Sequence, residues 1–326
     1  MPPKIKEMAI EPNPNSKPAR RFTLMIGGED ALDPQAEQPP CGLPQERFLL
    51  GKRVPIAPIL LLGQSDLVID PQLSIACLQP VHLHATRDHL VLLNQTQLGL
   101  TQEESNALLK PILPLLEEDF QSPLLFHNAS FYFIPAGPFA SLATHSLEQS
   151  HGRNIDWWMP RDSHEEGISK RWRKLQNEIQ MLWHIDAINQ VREQSGKSSI
   201  NSIWISGIGK LADVEVPNFF KEIKTIYSNK PLLKGLAKFL NTPQSADVNP
   251  DQLEAGFADT DDPEPIWEML STALENKQLD EVILVDFPQG HFRERTFTRK
   301  SLHQQSWMFW RKAKKISWQD LIGTGA

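Results

Sequence analysis

One stretch of this sequence, residues 170–209, contains residue types and spacings that suit ligand binding. Asn189 and Arg192 are three residues apart, so they are neighbours near the end of a helix. Gly207 and Gly209 follow a short buried strand, and we expect a loop there whose backbone amides can approach an anion. The pattern lacks the third glycine of a dinucleotide-binding sequence and the Lys-Ser/Thr pair of a P-loop. An ordinary turn at 207–209 is therefore the alternative.

A long helix is predicted to position Asn189 and Arg192. The apolar residues Trp172, Leu175, Ile179 and Leu182 are spaced by three and four, which predicts that they form the buried face of one helix. Gly196 is a natural C-terminal stop for this helix. We expect the helix to be mainly core, with only its far end available to a ligand.

Two other groups of residues have types that could hold a metal ion. His82 and His84 would share one face of an extended strand, and His89 lies close by. Glu29 and Asp30 follow the first apolar strand, at the kind of strand end where ligand sites gather in α/β folds. Half-exposed histidines and a solvated acidic turn are the alternatives that we favour.

Composition limits the classes of function. With 326 residues, the chain is long enough for a large α/β domain with an insertion. Its net charge of −7 argues against a protein that coats nucleic acid. Cys41 and Cys77 are too few for a disulfide framework or a zinc ribbon, which favours a reduced, cytoplasmic protein. The longest apolar run, 56–62, is far shorter than the roughly 20 residues of a membrane span.

The order of patterns predicts an α/β fold with a mainly parallel sheet and helices on both faces. Residues 200–287 are predicted as strand, strand, helix, helix and strand, which is typical of such a sheet. Within 70–135 we predict strands, a hairpin and one helix that starts at a Thr101/Glu104 capping box and is broken or kinked by its prolines. We therefore divide the chain into a disordered tail (1–20), an α/β core (21–69 and 136–326) and an inserted β-rich lobe (70–135).

The C-terminal region has a different character. Residues 300–315 combine three aromatic residues with five Lys or Arg residues, which predicts an amphipathic basic helix. We favour docking of this helix on the domain with a solvated cationic face. Binding of nucleic acid or of an acidic membrane surface is the alternative.

Several short motifs carry a family resemblance. At Asn189-x-x-Arg192, at 201–204 and at 207–209 the chain resembles the archaeal-type cofactor-independent phosphoglycerate mutases of the alkaline-phosphatase superfamily. It is similar also to a bacterial family described as phosphoglycerate-mutase-like or RpfE-type regulatory proteins. The segments that carry this second similarity are 80–83, 87–89, 100–104 and 177–182. Together the two resemblances cover roughly residues 70–210.

The resemblance implies a fold and a site. The implied fold is an alkaline-phosphatase-like α/β core with an inserted ligand-binding lobe. Asn189 and Arg192 would hold a carboxylate or a phosphate, and the motifs make Asn201, Gly207 and Gly209 ligand-binding candidates too.

The departures from the family pattern concern catalysis. Mutases of that superfamily use two metal ions and a Ser or Thr nucleophile, with Asp-Gly after the first strand and an Asp-His pair near the last. Here Gly27-Gly28 follows the first strand, and Asp286 and His291 are separated. Relatives have His-Pro-Val-Asn where this chain has residues 186–189, so we expect the long helix to continue through that segment.

Three hypotheses of function follow. The first is a non-catalytic relative of these mutases, with no catalytic or metal-binding residue, that binds a small anionic ligand or a protein partner without a cofactor. The second is a working phosphoglycerate mutase or phosphatase with two divalent metal ions. The third is nucleic-acid binding through the basic C-terminal helix, which we consider the least favoured.

Overall fold

The computed structural model describes residues 19–31, 39–93, 95–304 and 314–322. The strands are β1 (Arg21–Met25), β2 (Ile75–Val81), β3 (Leu83–Ala85), β4 (Leu90–Leu92), β5 (Phe126–His127), β6 (Tyr132–Pro135), β7 (Leu142–Ala143), β8 (Arg161–Asp162), β9 (Ser202–Gly209), β10 (Thr225–Tyr227), β11 (Gln244–Ser245), β12 (Gly256–Asp259), β13 (Glu281–Asp286), β14 (Arg293–Thr298), β15 (His303–Gln304) and β16 (Lys314–Lys315). The helices are α1 (Pro44–Leu50), α2 (Ile56–Gln64), α3 (Gln95–Leu98), α4 (Gln102–Phe120), α5 (Leu147–Ser150), α6 (Ile168–His184), α7 (Ala187–Gln194), α8 (Pro231–Leu240), α9 (Pro263–Glu275) and α10 (Trp318–Ile322).

The larger sheet has six strands in the order β11-β10-β12-β1-β13-β14. The first five strands pair in parallel, and β14 pairs with β13 in the antiparallel direction at the edge. The predicted α/β class with a mainly parallel sheet is confirmed. β12 is an additional strand between the two helices predicted within 200–287, and its four residues are too few to give a periodic signal.

Helices cover both faces of this sheet, as predicted. On one face, α1, α2 and α8 pack against apolar side chains of the strands, such as Phe257 and Val285. On the other face, α9 and α10 pack against side chains that include Leu24 and Leu284. The alternation of side chains along each strand places successive residues in these two cores.

The second sheet has four antiparallel strands in the order β5-β6-β2-β9. Its outer face is covered by α4 and α6 through a core that includes Trp172 and Trp183. Its inner face, including Cys77 and Phe133, belongs to the same apolar cluster as α2. The prediction that β9 belongs to the parallel sheet is therefore wrong, and the predicted boundary at residue 135 lies inside this second unit.

Individual residues determine where α4 begins, how far it continues, and where α6 gives way to α7. Thr101 and Glu104 form the predicted capping box at the start of α4. The predicted break is wrong, because α4 continues through Pro111 and Pro114 with Leu108, Ile112 and Leu116 buried, whereas the predicted kink stays a prediction. Burial of that apolar face offsets the loss of backbone hydrogen bonds at the prolines.

The long helix does not continue through residues 186–189, so that prediction is wrong also. α6 ends at His184, and a new helix, α7, begins after Asp186. The side chain of Asp186 accepts a hydrogen bond from the amide of Ile188 (2.8 Å). Aspartate is among the strongest N-cap residues, so this short side chain starts a second helix where an uninterrupted one was expected.

Two predicted segments fall mainly outside the described residues. They are the N-terminal tail, described only from residue 19, and the basic helix at 300–315, of which residues 305–313 are not described. The described ends of the latter, β15 and β16, pair as antiparallel strands. None of the helices in the described part of the chain is long and apolar enough to cross a membrane.

Candidate functional site

The five residues of the predicted anion site lie at the two ends of β9. Asn189, Arg192 and Asn201 are near its N-terminal end, whereas Gly207 and Gly209 are at its C-terminal end. A strand rises about 3.3 Å for each residue, so Asn201 and Gly209 are separated by roughly 25 Å. The structure does not bring the five residues together around one small ligand.

The Arg192 side chain is fully buried, and its guanidinium nitrogens donate hydrogen bonds to protein acceptors. Nε donates to the carbonyl of Ser198 (2.9 Å), Nη1 to the carboxylate of Glu104 (2.8 Å) and Nη2 to the carbonyl of Leu98 (2.5 Å). The same carboxylate oxygen of Glu104 accepts the amide of Thr101 (3.0 Å) in the capping box. Arg192 thus joins α7 to the start of α4, and an anion would have to displace these contacts.

The two asparagines bind backbone groups. Asn189 donates to the carbonyls of Trp183 (2.7 Å) and Ile200 (2.8 Å) and accepts the amide of Ile200 (2.7 Å). Asn201 accepts the amide of Leu83 (2.7 Å) and donates to its carbonyl (3.0 Å). These contacts hold both ends of the turn before β9. Ligand binding by Asn189, Arg192 and Asn201 stays a prediction.

Gly207 and Gly209 allow β9 to pack closely on the start of α2. A Cβ atom at Gly207 would lie 2.7 Å from Cβ of Ile56, and one at Gly209 would lie 2.5 Å from Cβ of Pro55. Gly207 has a φ of +62°, a conformation that residues with a side chain rarely adopt. The pairing of β9 with β2 shifts here, so the predicted loop is an irregular part of the strand.

A cavity of about 180 Å³ lies beside Gly207. Its lining combines two cationic side chains, two hydroxyl groups and one thiol with backbone and apolar atoms. The residues are Cys41, Gly42, Lys52, Arg53, Val54, Ile56, Leu142, Ala143, Thr144, Ser146, Gly207 and Ile208. None of these residues is acidic. The local electrostatic character therefore favours an anion, although the whole chain is acidic.

The charged and reactive groups of the cavity differ in their environment. Arg53 forms an exposed ion pair with Asp213 (2.6 Å). Lys52 is exposed and has no ion pair within the described part of the chain. Burial raises the pKa of the Cys41 thiol, and the positive charge of Arg161 opposes this effect only in part. The thiol is therefore protonated and weakly nucleophilic at neutral pH.

A buried carboxyl group, Glu46, lies next to this cavity, between α1 and α5. Its Oε2 atom accepts hydrogen bonds from the amide of Leu43 (2.6 Å) and from Oγ of Ser146 (3.0 Å). Burial, assisted by repulsion from Glu148, raises the pKa of Glu46 to about 8. Glu46 is therefore mainly protonated at neutral pH. Because Ser146 lines the cavity, the carboxyl group supports one of its walls.

The acidic residues at the carboxyl ends of β1 and β13 are paired with arginines. Asp30 forms hydrogen bonds of 2.6 and 3.1 Å with Arg47. Asp286 binds Arg293 (2.6 Å) and Arg295 (2.7 Å). Hydrogen bonding to Asp286 raises the pKa of Arg293. These two carboxylates are therefore already neutralised by cations of the chain itself.

The carboxylates at the end of β12 and in the turn after β1 are also paired with cations of the chain. Asp259, at the end of β12, binds Nζ of Lys230 (2.7 Å), which also contacts Asp261 (3.2 Å). Burial would lower the pKa of Lys230, but the two carboxylates raise it above its usual value. Burial raises the pKa of Asp259, and Lys230 opposes that rise. Glu29 pairs with Arg153.

The described residues include no group of three His, Cys, Asp or Glu side chains placed to hold a metal ion. Nδ1 of His82 lies 2.7 Å from the carbonyl of Ser199, to which it can donate, and the rings of His82 and His84 are 6.0 Å apart. At Gly28 an added Cβ would lie 2.5 Å from the carbonyl oxygen of Phe287, so a ligating side chain does not fit there. The hypothesis of two divalent metal ions stays a prediction.

Several residues of the cavity were not found from the sequence. Lys52 and Arg53 lie in a segment predicted to be irregular, and their only signal was that two basic residues are adjacent. Thr144 and Ser146 lie in a polar connection without periodicity. More than 150 residues separate Arg53 from Gly207, so only the packing of α2 against β9 brings them to one cavity.

This chain is similar to known proteins in its structure but not detectably in its sequence. No family model and no curated protein matches the chain. The chain is similar in structure to the cofactor-independent phosphoglycerate mutase from Thermoplasma acidophilum, with a TM-score of 0.36 and 13% identity over 86% of this chain and 90% of that one. It is similar also to the PH0037 protein from Pyrococcus horikoshii, with a TM-score of 0.40 and 12% identity over 82% of each chain. Similarities this weak transfer no activity, and the resemblance to RpfE-type regulatory proteins stays a prediction.

Proposed function

We propose that this protein binds a small anionic ligand, a carboxylate or a phosphate, in the cavity beside Gly207 and performs no two-metal phosphoryl transfer. The observation that carries the proposal is the lining of this cavity, which has no acidic residue and includes the exposed Lys52, without an ion pair in the described part of the chain, the hydroxyl group of Thr144 and Arg53, whose exposed guanidinium an anion would share with Asp213. Charge-assisted hydrogen bonds from such groups are the usual means of holding an anion. A volume of about 180 Å³ suits a ligand smaller than the drug-sized molecules that occupy roughly 300–1,000 Å³.

The ion pairs at the strand ends support the non-catalytic part of the proposal. A two-metal centre needs several carboxylates and histidines whose lone pairs face the metal ions. Asp30, Asp259 and Asp286 instead direct their oxygens at Arg or Lys side chains. Metal binding there would require breaking these partly buried pairs, which is unfavourable because it leaves cations unpaired.

Ligand titration tests the binding part. We expect inorganic phosphate and 3-phosphoglycerate to bind the wild-type protein in calorimetric titrations, and the variants Lys52→Ala and Arg53→Ala to bind each of them about tenfold more weakly. Lys110→Ala, an exposed lysine on α4, is the matched control and should keep the wild-type affinity. Equal affinities in all four proteins, or an absence of binding, would contradict the site.

Metal analysis tests the second part. We expect the purified protein, after incubation with Mn²⁺ or Zn²⁺ and removal of the excess, to retain no stoichiometric metal and to show no mutase or phosphatase turnover. Stoichiometric metal together with turnover would refute the non-catalytic assignment and would favour the two-metal mutase or phosphatase.

A further inference from the structure

The solvent side of α6 has a continuous stripe of exposed residues. Lys170, Lys174, Asn177, Met181 and Ile185 are separated by three or four positions, so they lie along one face of the helix and its C-cap. All five side chains are exposed. We call this set the α6 stripe. The opposite face of α6 packs into the core, so the stripe is held on a rigid element.

The C-terminal half of the α6 stripe is apolar. Met181 and Ile185 are each 72% exposed, and Val191 on the following helix is 58% exposed. A large exposed apolar side chain is ordinary when it is isolated, but Met181 and Ile185 are four positions apart and therefore adjacent on one face. Methionine in such a group adapts its shape to a partner.

The N-terminal half is cationic. Lys170 and Lys174 lie on the stripe and Arg173 lies beside it, and the first turn of α6 contains no acidic residue. Within the described part of the chain, Lys170 and Arg173 form no ion pair, and Lys174 has only a 3.5 Å contact with Glu178. Lys170 lies in the first turn of α6, where the helix dipole repels a cation, whereas Arg173 and Lys174 lie in the second turn, where this repulsion is weak. Carboxylates of a partner would be attracted to these cations and would reduce this repulsion.

We infer that the α6 stripe is a docking surface for an acidic amphipathic helix of another protein. The partner would place carboxylates over Lys170, Arg173 and Lys174 and aliphatic side chains over Met181 and Ile185. From Lys170 to Ile185 the stripe is about 22 Å long, which equals about four turns of a partner helix. A nucleic acid would match only the cationic half, because aliphatic side chains offer no stacking surface to bases.

A binding assay with a defined probe tests this inference. The probe is a fluorescent synthetic peptide of about 16 residues, helical by design, with three Glu residues on one half of a face and two Leu residues on the other half. We expect the wild-type protein to bind it at physiological salt. The variants K170E/K174E and M181S/I185S should each weaken the binding about tenfold or more. K170E places an acidic residue in the first turn of α6, where it is favourable, whereas K174E places a like charge one turn from Glu178. Circular dichroism of K170E/K174E should therefore match that of the wild type before the affinities are compared.

Matched controls separate the stripe from general effects. Lys110→Glu changes the charge of an exposed residue on α4, and Val68→Ser removes an apolar side chain that is fully exposed in a loop. Both should keep the wild-type affinity. The inference is overturned if the peptide does not bind, if a peptide with Lys in place of Glu binds equally well, or if the stripe variants bind like the controls. Tighter binding of a single-stranded oligonucleotide than of the acidic peptide, lost in K170E/K174E but kept in M181S/I185S, would assign the surface to nucleic acid instead.

Discussion

The buried carboxyl group of Glu46 predicts an unusual dependence of stability on pH. Burial and the nearby Glu148 raise the pKa of Glu46 from its ordinary value of 4.5 to about 8 in the folded protein. The folded state therefore keeps a proton that the unfolded chain releases near pH 4.5. The contribution of this group to stability is fully present below pH 4.5, is lost as pH rises towards 8, and changes no further once both states are ionised.

The size of the effect follows from the two pKa values. One pKa unit corresponds to about 1.4 kcal/mol, so the full interval between 4.5 and about 8 corresponds to roughly 5 kcal/mol. Between pH 6 and 8 the folded protein should lose roughly 2 kcal/mol through this group alone, because the folded carboxyl group is itself half ionised at pH 8. The variant Glu46→Gln has a neutral amide of similar shape, whose carbonyl can accept the hydrogen bonds from Leu43 and Ser146. It should not show this loss.

Urea-induced unfolding, followed by tryptophan fluorescence at pH 6, 7 and 8, measures the difference. We expect the free energy of unfolding of Glu46→Gln minus that of the wild type to rise by roughly 2 kcal/mol from pH 6 to pH 8. Titrating groups that do not interact with Glu46 cancel in this difference. Glu264→Gln, at an exposed glutamate on α9, should show no such rise. A difference that stays constant with pH would mean that the Glu46 carboxyl is ionised in the folded protein, and the reasoning would be refuted.

The other predictions concern the two ends of β9. Arg192→Ala leaves the Glu104 carboxylate without its guanidinium partner and should cost about 3–5 kcal/mol in thermal or urea unfolding. Unchanged stability with weaker phosphate affinity would instead make Arg192 a ligand-binding residue. Gly207→Ala adds a Cβ atom 2.7 Å from Ile56 at a positive φ, and we expect it to destabilise the protein by more than about 2 kcal/mol and to lower anion affinity. A variant as stable as the wild type would show that β9 can move away from α2.

The sequence predicted those parts of the fold that depend on local chemistry. Thr101 and Glu104 are three residues apart, so their capping box follows from the sequence alone. The apolar spacing of α6 predicted its buried face correctly at Trp172, Leu175 and Ile179. The start of α7 was missed although Asp186 is a strong N-cap, because Ala187 stands where relatives have a proline and so suggested an uninterrupted helix.

The site depends on contacts between distant parts of the chain, which a single sequence does not reveal. Arg192 and Glu104 are 88 residues apart, so the sequence alone does not predict the ion pair that they form. The same applies to Lys230 and Asp259, which only the parallel order of β10 and β12 brings together. Residue types and spacing thus identified Gly207 beside the cavity, but the partners of each charged group come from the tertiary fold.

The most direct test of the proposed anion site uses the two cysteines. Cys41 lines the cavity, whereas Cys77 is buried in the core and serves as an unreactive internal reference. Alkylation of Cys41 by a maleimide, followed by mass spectrometry, should slow in proportion to occupancy when 3-phosphoglycerate is added. The same addition should have little effect in Arg53→Ala at equal ligand concentration. Binding detected by calorimetry with an unchanged alkylation rate of Cys41 would contradict the account, because the anion would then bind elsewhere.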